Sequence, residues 1–211
     1  MKVTNWDLYY KKPFKATVFT RSITGNYLIR LMKKWISKVR PLEIMEFGGA
    51  NSCFFDLIEK KIEPDKYYVV DNNSLGLDIF RKRIRERNDV ILFNSDVRDF
   101  STDYKFDLIF SVGLIEHFNK EDRNIIIHKH FEFLKPGGMV IIFFPTPTVL
   151  YRLTRFLAEV LGIWTFYDEI PLRVNEVTLV AGKYGKVLFN KINWWIFLTQ
   201  AMIVVKKNDN E

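Results

Sequence analysis

The sequence predicts an α/β protein built on a doubly wound, mostly parallel sheet, and three observations carry that expectation. Five short runs are apolar almost throughout, as strands covered on both faces require. Segments of helical period separate them, the alternation from which layered α/β domains are made. After the last helical segment, two strand-like runs follow one another with no helix between them, so they must pair antiparallel. The sum is a seven-stranded sheet finished by a C-terminal hairpin, with a helical extension ahead of it. No repeat, low-complexity tract or Gly/Ser linker interrupts the 211 residues. The chain, 1–211, therefore reads as one domain, with residues 1–40 a cap and 41–211 the core.

The elements follow in order. Residues 23–39 form an amphipathic helix: Leu28, Leu31, Met32, Trp35, Ile36 and Val39 recur at helical spacing, and Arg30, Lys33, Lys34 and Lys38 take the other positions. The strand runs are 42–47, 66–71, 89–94, 106–111 and 138–144. Between them, residues 51–61, 75–87 and 121–134 read as helices. The second of these crowds Arg81, Lys82, Arg83, Arg85 and Arg87 around a stripe of Leu75, Ile79, Phe80 and Ile84. That basic side is either a solvated outer face or a nucleic-acid contact. Asn119, with Glu121 and Asp122 behind it, has the form of a helix start, and Lys135-Pro136-Gly137-Gly138 that of a helix stop and tight turn. A helix over 175–183 then precedes the runs 186–193 and 199–207. Leu153, Phe156, Leu157, Val160, Leu161 and Trp164 repeat at helical spacing beside Arg152 and Arg155. Such a stripe is expected to pack on the sheet or cover an acceptor; membrane contact is the alternative.

Composition excludes several classes. Hydrophobic residues at 48% and charged residues at 27% supply a core and argue against disorder. No apolar run approaches the ~20 residues of a membrane helix, and the charged opening lacks the apolar stretch of a secretory signal. One cysteine, Cys53, has no partner for an intramolecular disulfide, and no Cys/His cluster has zinc-ligand spacing. The expectation is a reduced, cytoplasmic protein without a metal. Charge is lopsided: residues 1–40 hold ten Lys/Arg against Asp7 alone, a net of +9, while the remainder of the chain nets −2. A segment of that kind either draws phosphates, nucleic acid or anionic lipid, or only keeps the chain soluble.

Ligands of doubly wound sheets bind at the carboxyl ends of the strands. The first strand ends in Glu46-Phe47-Gly48-Gly49-Ala50-Asn51-Ser52, where small residues let backbone approach a ligand. Read as a dinucleotide fingerprint from Gly48, Ala50 and Cys53 stand where the second and third glycines belong, a poor match. Glu46 suits a cationic amino group better than a pyrophosphate, which it would repel. Asp71 and Asp96 follow at intervals of 25 residues. Three acids at the same edge of three successive strands need partners, which a ribose diol and amine donors provide.

These residues carry a resemblance. Ile44–Ala50, Val69-Val70-Asp71, Asn94–Val97, Phe106–Ser111 with Glu116-His117, and Leu134–Gly138 are similar, in order, to the motifs of class I S-adenosylmethionine-dependent methyltransferases. The resemblance spans about residues 40–205 and implies a Rossmann-like sheet with S-adenosylmethionine as cofactor. It implies that Glu46, Gly48, Gly49 and Ala50 hold the methionine part, that Asp71 with Asn72 binds the ribose, and that Asp96 with Val97 binds the adenine. Ser111 would lie beside the methionine end. Ala50 and Ser52 depart from two usual glycines, and Ser52 would instead cap the following helix. Residues 9–24, 161–172 and 198–200 also resemble methyltransferases of polysaccharide-assembly clusters.

Methyl transfer from a sulfonium mainly requires positioning, and a base only where the acceptor arrives protonated. His117 is the candidate base, with a backbone-bonded helix-start histidine as the bland alternative. Tyr167, Asp168 and Glu169 follow as lid candidates. The basic N-terminus, where Trp6, Tyr9, Tyr10, Phe14 and Phe19 mingle with Lys11, Lys12, Lys15 and Arg21, suits an anionic small-molecule acceptor such as a phosphate-bearing glycan precursor. An RNA methyltransferase and a non-catalytic binding module are the alternatives; peripheral membrane contact is a further partner expectation.

Overall fold

The computed structural model describes residues 3–11, 15–36, 40–85 and 87–208, with backbone alone over 15–19. Seven strands form one sheet: β1 (Glu43–Phe47), β2 (Lys66–Asp71), β3 (Val90–Asn94), β4 (Phe106–Val112), β5 (Leu134–Pro145), β6 (Gly185–Asn193) and β7 (Gln200–Lys207). Their order is β3-β2-β1-β4-β5-β7-β6, with β1 to β5 parallel and β7 antiparallel to both its neighbours. The predicted Rossmann-like sheet and its closing hairpin are both present. Sequence order reverses between β1 and β4, the switch point at which such sheets open a crevice.

Strand alternation sends two sets of side chains to two cores. Ile44, Val69, Leu108 and Phe110 pack under α2 (Lys15–Trp35), α3 (Phe55–Ile62) and α4 (Ser74–Ile84), through Leu28, Met32, Ile58, Leu77 and Phe80. Met45, Val70, Ile109 and Ile142 pack under α5 (Lys120–Glu132) and α7 (Val174–Ala181), through Ile126, Ile127, Phe131 and Val177. Asn119 caps α5 as expected, accepting from the amides of Glu121 and Asp122. A short helix, α1 (Trp6–Lys11), precedes α2, and α6 (Val149–Val160) follows β5.

Three expectations need correction. The basic amphipathic helix starts at Lys15, eight residues earlier than its apolar spacing suggested; Lys38 and Val39 lie outside the described residues. The stop at Lys135–Gly138 is not a separate turn. Leu134 already pairs with Phe106 and Met139 with Leu108, so the intervening residues bulge out of β5, as a strand must where Pro136 has no amide to give. The basic side of α4 is exposed to solvent, as its outer-face reading expected: Arg81, Lys82, Arg83 and Arg85 are all exposed, with Arg81 paired to Asp78 at 2.5 Å and Arg83 donating to the Ser52 carbonyl at 2.7 Å. Arg87 just beyond it pairs with Asp89 and Glu59.

The apolar stripe of α6 faces outward. Leu153, Phe156, Leu157, Val160 and Leu161 are exposed, while Tyr151 and, beyond the helix, Trp164 are buried. Helical periodicity identifies a face but not the direction in which it points, and here the inward face is the one carrying Tyr151.

Candidate functional site

A cavity of about 520 Å³ opens at the carboxyl ends of β1, β2, β3 and β4, within the range of small-molecule sites. Its first end is built from the loops that follow β1 to β3. Glu46 is buried, and its Oε2 accepts hydrogen bonds from Tyr67 (2.7 Å) and from the Ser52 hydroxyl. Burial lifts its carboxyl to about 7, against the pull of those two donors. A Cβ on Gly49 would collide with that carboxyl, and Gly48 sits at φ +72 with Leu114 packed over it. Both positions therefore need glycine.

Asp71 joins two loops: its Oδ2 accepts from the Ala50 amide at 2.9 Å and its Oδ1 from the Asn73 amide at 2.7 Å. Burial raises its carboxyl, and those amides work against the rise. Asp96 takes a two-pronged contact from Arg98, with Nε at 2.9 Å on Oδ1 and Nη2 at 2.8 Å on Oδ2, and this holds its carboxyl below the usual range. Asn72 reaches Asp96 Oδ2 at 3.4 Å. A side recess brings Asp71, Asn72, Asp96 and Val97 together beside Gly48.

The second end is assembled from distant segments. After β4 the chain makes a 3₁₀ turn over Ile115–His117. His117 Nδ1 lies 3.4 Å from Asp168 Oδ1. Asp168 in turn accepts from the Thr4 amide at 3.2 Å and from the Thr4 hydroxyl. Burial pulls the imidazole below its ordinary value, with Asp168 opposing, so His117 is neutral at pH 7. Burial raises Asp168, but the Thr4 hydroxyl and His117 bring it below the usual carboxylate range. Glu116 is buried, its Oε2 has no hydrogen-bond partner among the described residues, and burial drives its carboxyl well up. Glu169 accepts from the Tyr151 hydroxyl and is lifted by burial to about 7.

The N-terminal segment closes over this end. The Trp6 ring meets His117 edge-on at 5.0 Å and Phe166 at 6.0 Å. Asn73 donates to Asp7 at 2.8 Å, and Arg21 donates to the Tyr9 hydroxyl. Val3, Trp6, Tyr9, Tyr10 and Arg21 line the cavity. Lys12 and Phe14 lie outside the described residues, as do the side chains of Lys15 and Phe19. Among the described residues, ligand-type atoms of Glu116, His117 and Glu169 lie within 4.8 Å of one another, a cluster able to share a proton or to take up a cation.

Of the residues singled out in the sequence, Glu46, Gly48, Gly49, Asp71, Asn72, Asp96 and His117 line the cavity. Val97 lines only the side recess. Ala50 is fully buried and contributes its amide to Asp71. Ser111 does not line the cavity: its hydroxyl lies 2.9 Å from His130 Nε2 inside the core. Alternation along β4 turns that side chain under α5, and Val112 and Gly113 line the cavity instead. Ser52 does not cap α3. It sits at φ +37 and supports Glu46, and α3 starts at Phe55 behind Phe54, whose position at the N-cap supplies no side-chain hydrogen bond. Glu116 was missed as a functional group; its position next to His117 was the available signal.

Residues 44–138 match the family model of a methyltransferase domain. No curated protein matches the chain in sequence. Among solved structures, it is similar to the N-methyltransferase NodS from Bradyrhizobium japonicum WM9 in complex with S-adenosyl-L-homocysteine, at 13% identity over 88% of this chain and 86% of that one, with a TM-score of 0.67. It is similar to magnesium protoporphyrin IX methyltransferase from Synechocystis PCC 6803 with bound S-adenosylmethionine, at 9% identity over 88% and 78%, with a TM-score of 0.67. A S-adenosylmethionine-dependent methyltransferase from Clostridium acetobutylicum ATCC 824 gives 13% identity over 92% and 97%, with a TM-score of 0.69. The match to the methyltransferase-domain model runs from β1 into β5, and the chain as a whole shares the fold of these three structures.

Proposed function

We propose that this protein transfers the methyl group of S-adenosylmethionine to a hydroxyl- or amine-bearing small molecule of sugar type, with His117 receiving the acceptor's proton. The observation that supports this most is His117 itself: neutral, backed by Asp168, and walled by Trp6 and Phe166 at the end of the cavity away from β1 to β3. The first end fits the cofactor's chemistry. Glu46 faces a cationic amino group, the Gly48–Gly49 backbone admits close approach, Asp71 and Asn72 meet ribose hydroxyls, and Asp96 and Val97 border the adenine. S-adenosylmethionine supplies a sulfonium methyl, displaced in line by the acceptor, so positioning does most of the work.

The lining charges refine the acceptor. Asp71, Asp96 and Asp168 face Arg21 and Arg98, Arg98 is committed to Asp96 and Asp122, and burial favours the uncharged forms of Glu46, Glu116 and Glu169. This balance favours a neutral or cationic acceptor over the anionic one that the N-terminal charge suggested. Trp6 and Phe166 offer ring faces to a sugar. Glu116, which burial holds protonated, and the protonated fraction of Glu169 can donate to its hydroxyls. As the acceptor oxygen or nitrogen attacks, its proton passes to His117 Nε2, and Asp168 stabilises the imidazolium. The segment from Thr4 to Lys11 and the loop at 166–170 keep water out.

The test is mass spectrometry of the purified protein for retained cofactor, then labelled-methyl transfer across sugars, amino sugars, nucleotide sugars and RNA. Transfer to the neutral or amino sugars is expected. Transfer confined to RNA, or no calorimetric binding of S-adenosylmethionine, would overturn the reading.

A further inference from the structure

The outer side of α6 is an apolar surface that no described residue covers. Val149, Leu153, Phe156, Leu157 and Val160 are 51–84% exposed and fall on one helical face. The loop between β6 and β7 extends this surface with Trp194, Trp195 and Phe197, which are 59–77% exposed. The two parts are adjacent, since Thr154 Oγ1 lies 3.5 Å from the Phe197 carbonyl oxygen and the hydroxyls of Thr148 and Thr199 lie 2.7 Å apart. Exposed aliphatic and aromatic side chains gathered on two adjacent elements mark an interaction site.

Charge indicates its occupant. Residues 149–164 and 189–198 hold Arg152, Arg155 and Lys191 against one acid, Glu159, which Arg155 neutralises at 2.8 Å. Arg152 and Lys191 are exposed at the border of the apolar surface, in a chain of net charge +7. An apolar helical face flanked by cations and exposed indoles is the composition that settles at the boundary of headgroups and acyl chains. No described helix is long and apolar enough to cross a membrane, so the geometry is that of a helix lying on the surface.

We propose that α6 and the β6–β7 loop form a docking face for an anionic membrane surface, with the apolar side chains at the acyl boundary and Arg152 and Lys191 against the headgroups. On their inner sides the same two elements carry Tyr151, Ile196 and Leu198, which line the cavity. Docking therefore holds the acceptor end of the cavity within about one helix diameter, ~10 Å, of the lipid.

The experiment is co-sedimentation of the full chain with vesicles of phosphatidylcholine alone or mixed with phosphatidylglycerol, alongside analytical ultracentrifugation without lipid. Sedimentation with the phosphatidylglycerol vesicles is expected, weaker at high salt, and reduced at least ~tenfold by Trp194→Ala with Trp195→Ala or by Leu153→Glu with Phe156→Glu. These side chains are exposed and outside the cavity, so circular dichroism and Tm should be unchanged. Trp164, though part of the same sequence stripe, is buried and donates to the Phe166 carbonyl, so it is no probe of this face. Absence of sedimentation, or sedimentation untouched by both double substitutions, overturns the proposal. So does a dimer without lipid that the same substitutions dissolve, which would make a second copy the occupant.

Discussion

At the end of the cavity built by β1, β2 and β3, each carboxylate is fixed by partners on its own loop or on the neighbouring strand and its loop. Glu46 is held by Ser52 and Tyr67, Asp71 by Ala50 and Asn73, and Asp96 by Arg98 two residues on. At the other end, His117 depends on Asp168, and Asp168 depends on Thr4, 164 positions away. The first end is local and is completed as soon as adjacent strands pair. The second exists only once the N-terminal segment has docked across the fold. This contrast suits an enzyme in which one half-site takes an invariant cofactor and the other is shaped for a particular acceptor.

The largest expected effect separates the two ends. His117→Gln should lower kcat by roughly 10²–10⁴, the usual contribution of a positioned base, and leave the Kd for S-adenosylmethionine unchanged. Steady-state kinetics with calorimetry decides it. A full-rate variant would make His117 a wall residue and move the proton elsewhere in the cluster.

Next comes the reciprocal change. Asp71→Ala removes the acceptor for the Ala50 and Asn73 amides as well as the group assigned to the ribose, so cofactor binding should weaken by about 1.5–3 kcal/mol. Asp71→Asn keeps one oxygen and should lose less. Unchanged affinity in a folded variant would sink the assignment and reduce Asp71 to a link between loops.

How far each end was legible in the sequence follows from the same contrast. The five parallel strands announce themselves because strands buried on both faces must be apolar throughout, and the 25-residue interval of Glu46, Asp71 and Asp96 reports one acid per strand end. Ser111 shows the limit of that reading: a run apolar on both sides gives no hint of which face a residue takes, and β4 turns it toward His130. The outward stripe of α6 failed for a related reason, since amphipathic spacing carries no direction. Asp168 and Glu169 stood out as a pair of acids, but their junction with Thr4, Glu116 and Tyr151 is a tertiary event. Only packing creates it, so no local pattern encodes it.

A pH titration sharpens the comparison at Glu46. Its folded carboxyl is raised to about 7 by burial, above the ~4.3 of an exposed glutamate. A raised pKa adds stability that is complete below the unfolded value and disappears as pH climbs through the folded one. The cofactor-free protein should therefore lose Tm between pH 5 and 8, and Glu46→Gln should remove about 1–2 kcal/mol of that dependence, with Glu169 supplying a further share. Cofactor affinity should run the other way and rise with pH, because a cationic amino group favours the ionised carboxylate. Affinity that is flat across the window would place the amino group away from Glu46.

The smallest effect is expected from chelation. Glu116, His117 and Glu169 stand close enough to take up a divalent cation, which would replace general-base chemistry at this end with metal-assisted chemistry. Burial argues against it at neutral pH. Glu116 is pushed well above the carboxylate range and Glu169 to about 7, so the cluster presents little negative charge to offset the dehydration of a hard cation. Treatment with EDTA at pH 7 should leave turnover within about twofold of the untreated enzyme, because a proton held by His117 and Asp168 needs no metal. Activity lost to EDTA and restored by Mg²⁺ or Mn²⁺ would show instead that the acceptor end is a cation site. Repeating the measurement at higher pH, where Glu169 ionises, tests whether the cluster gains a cation only after it has lost its proton.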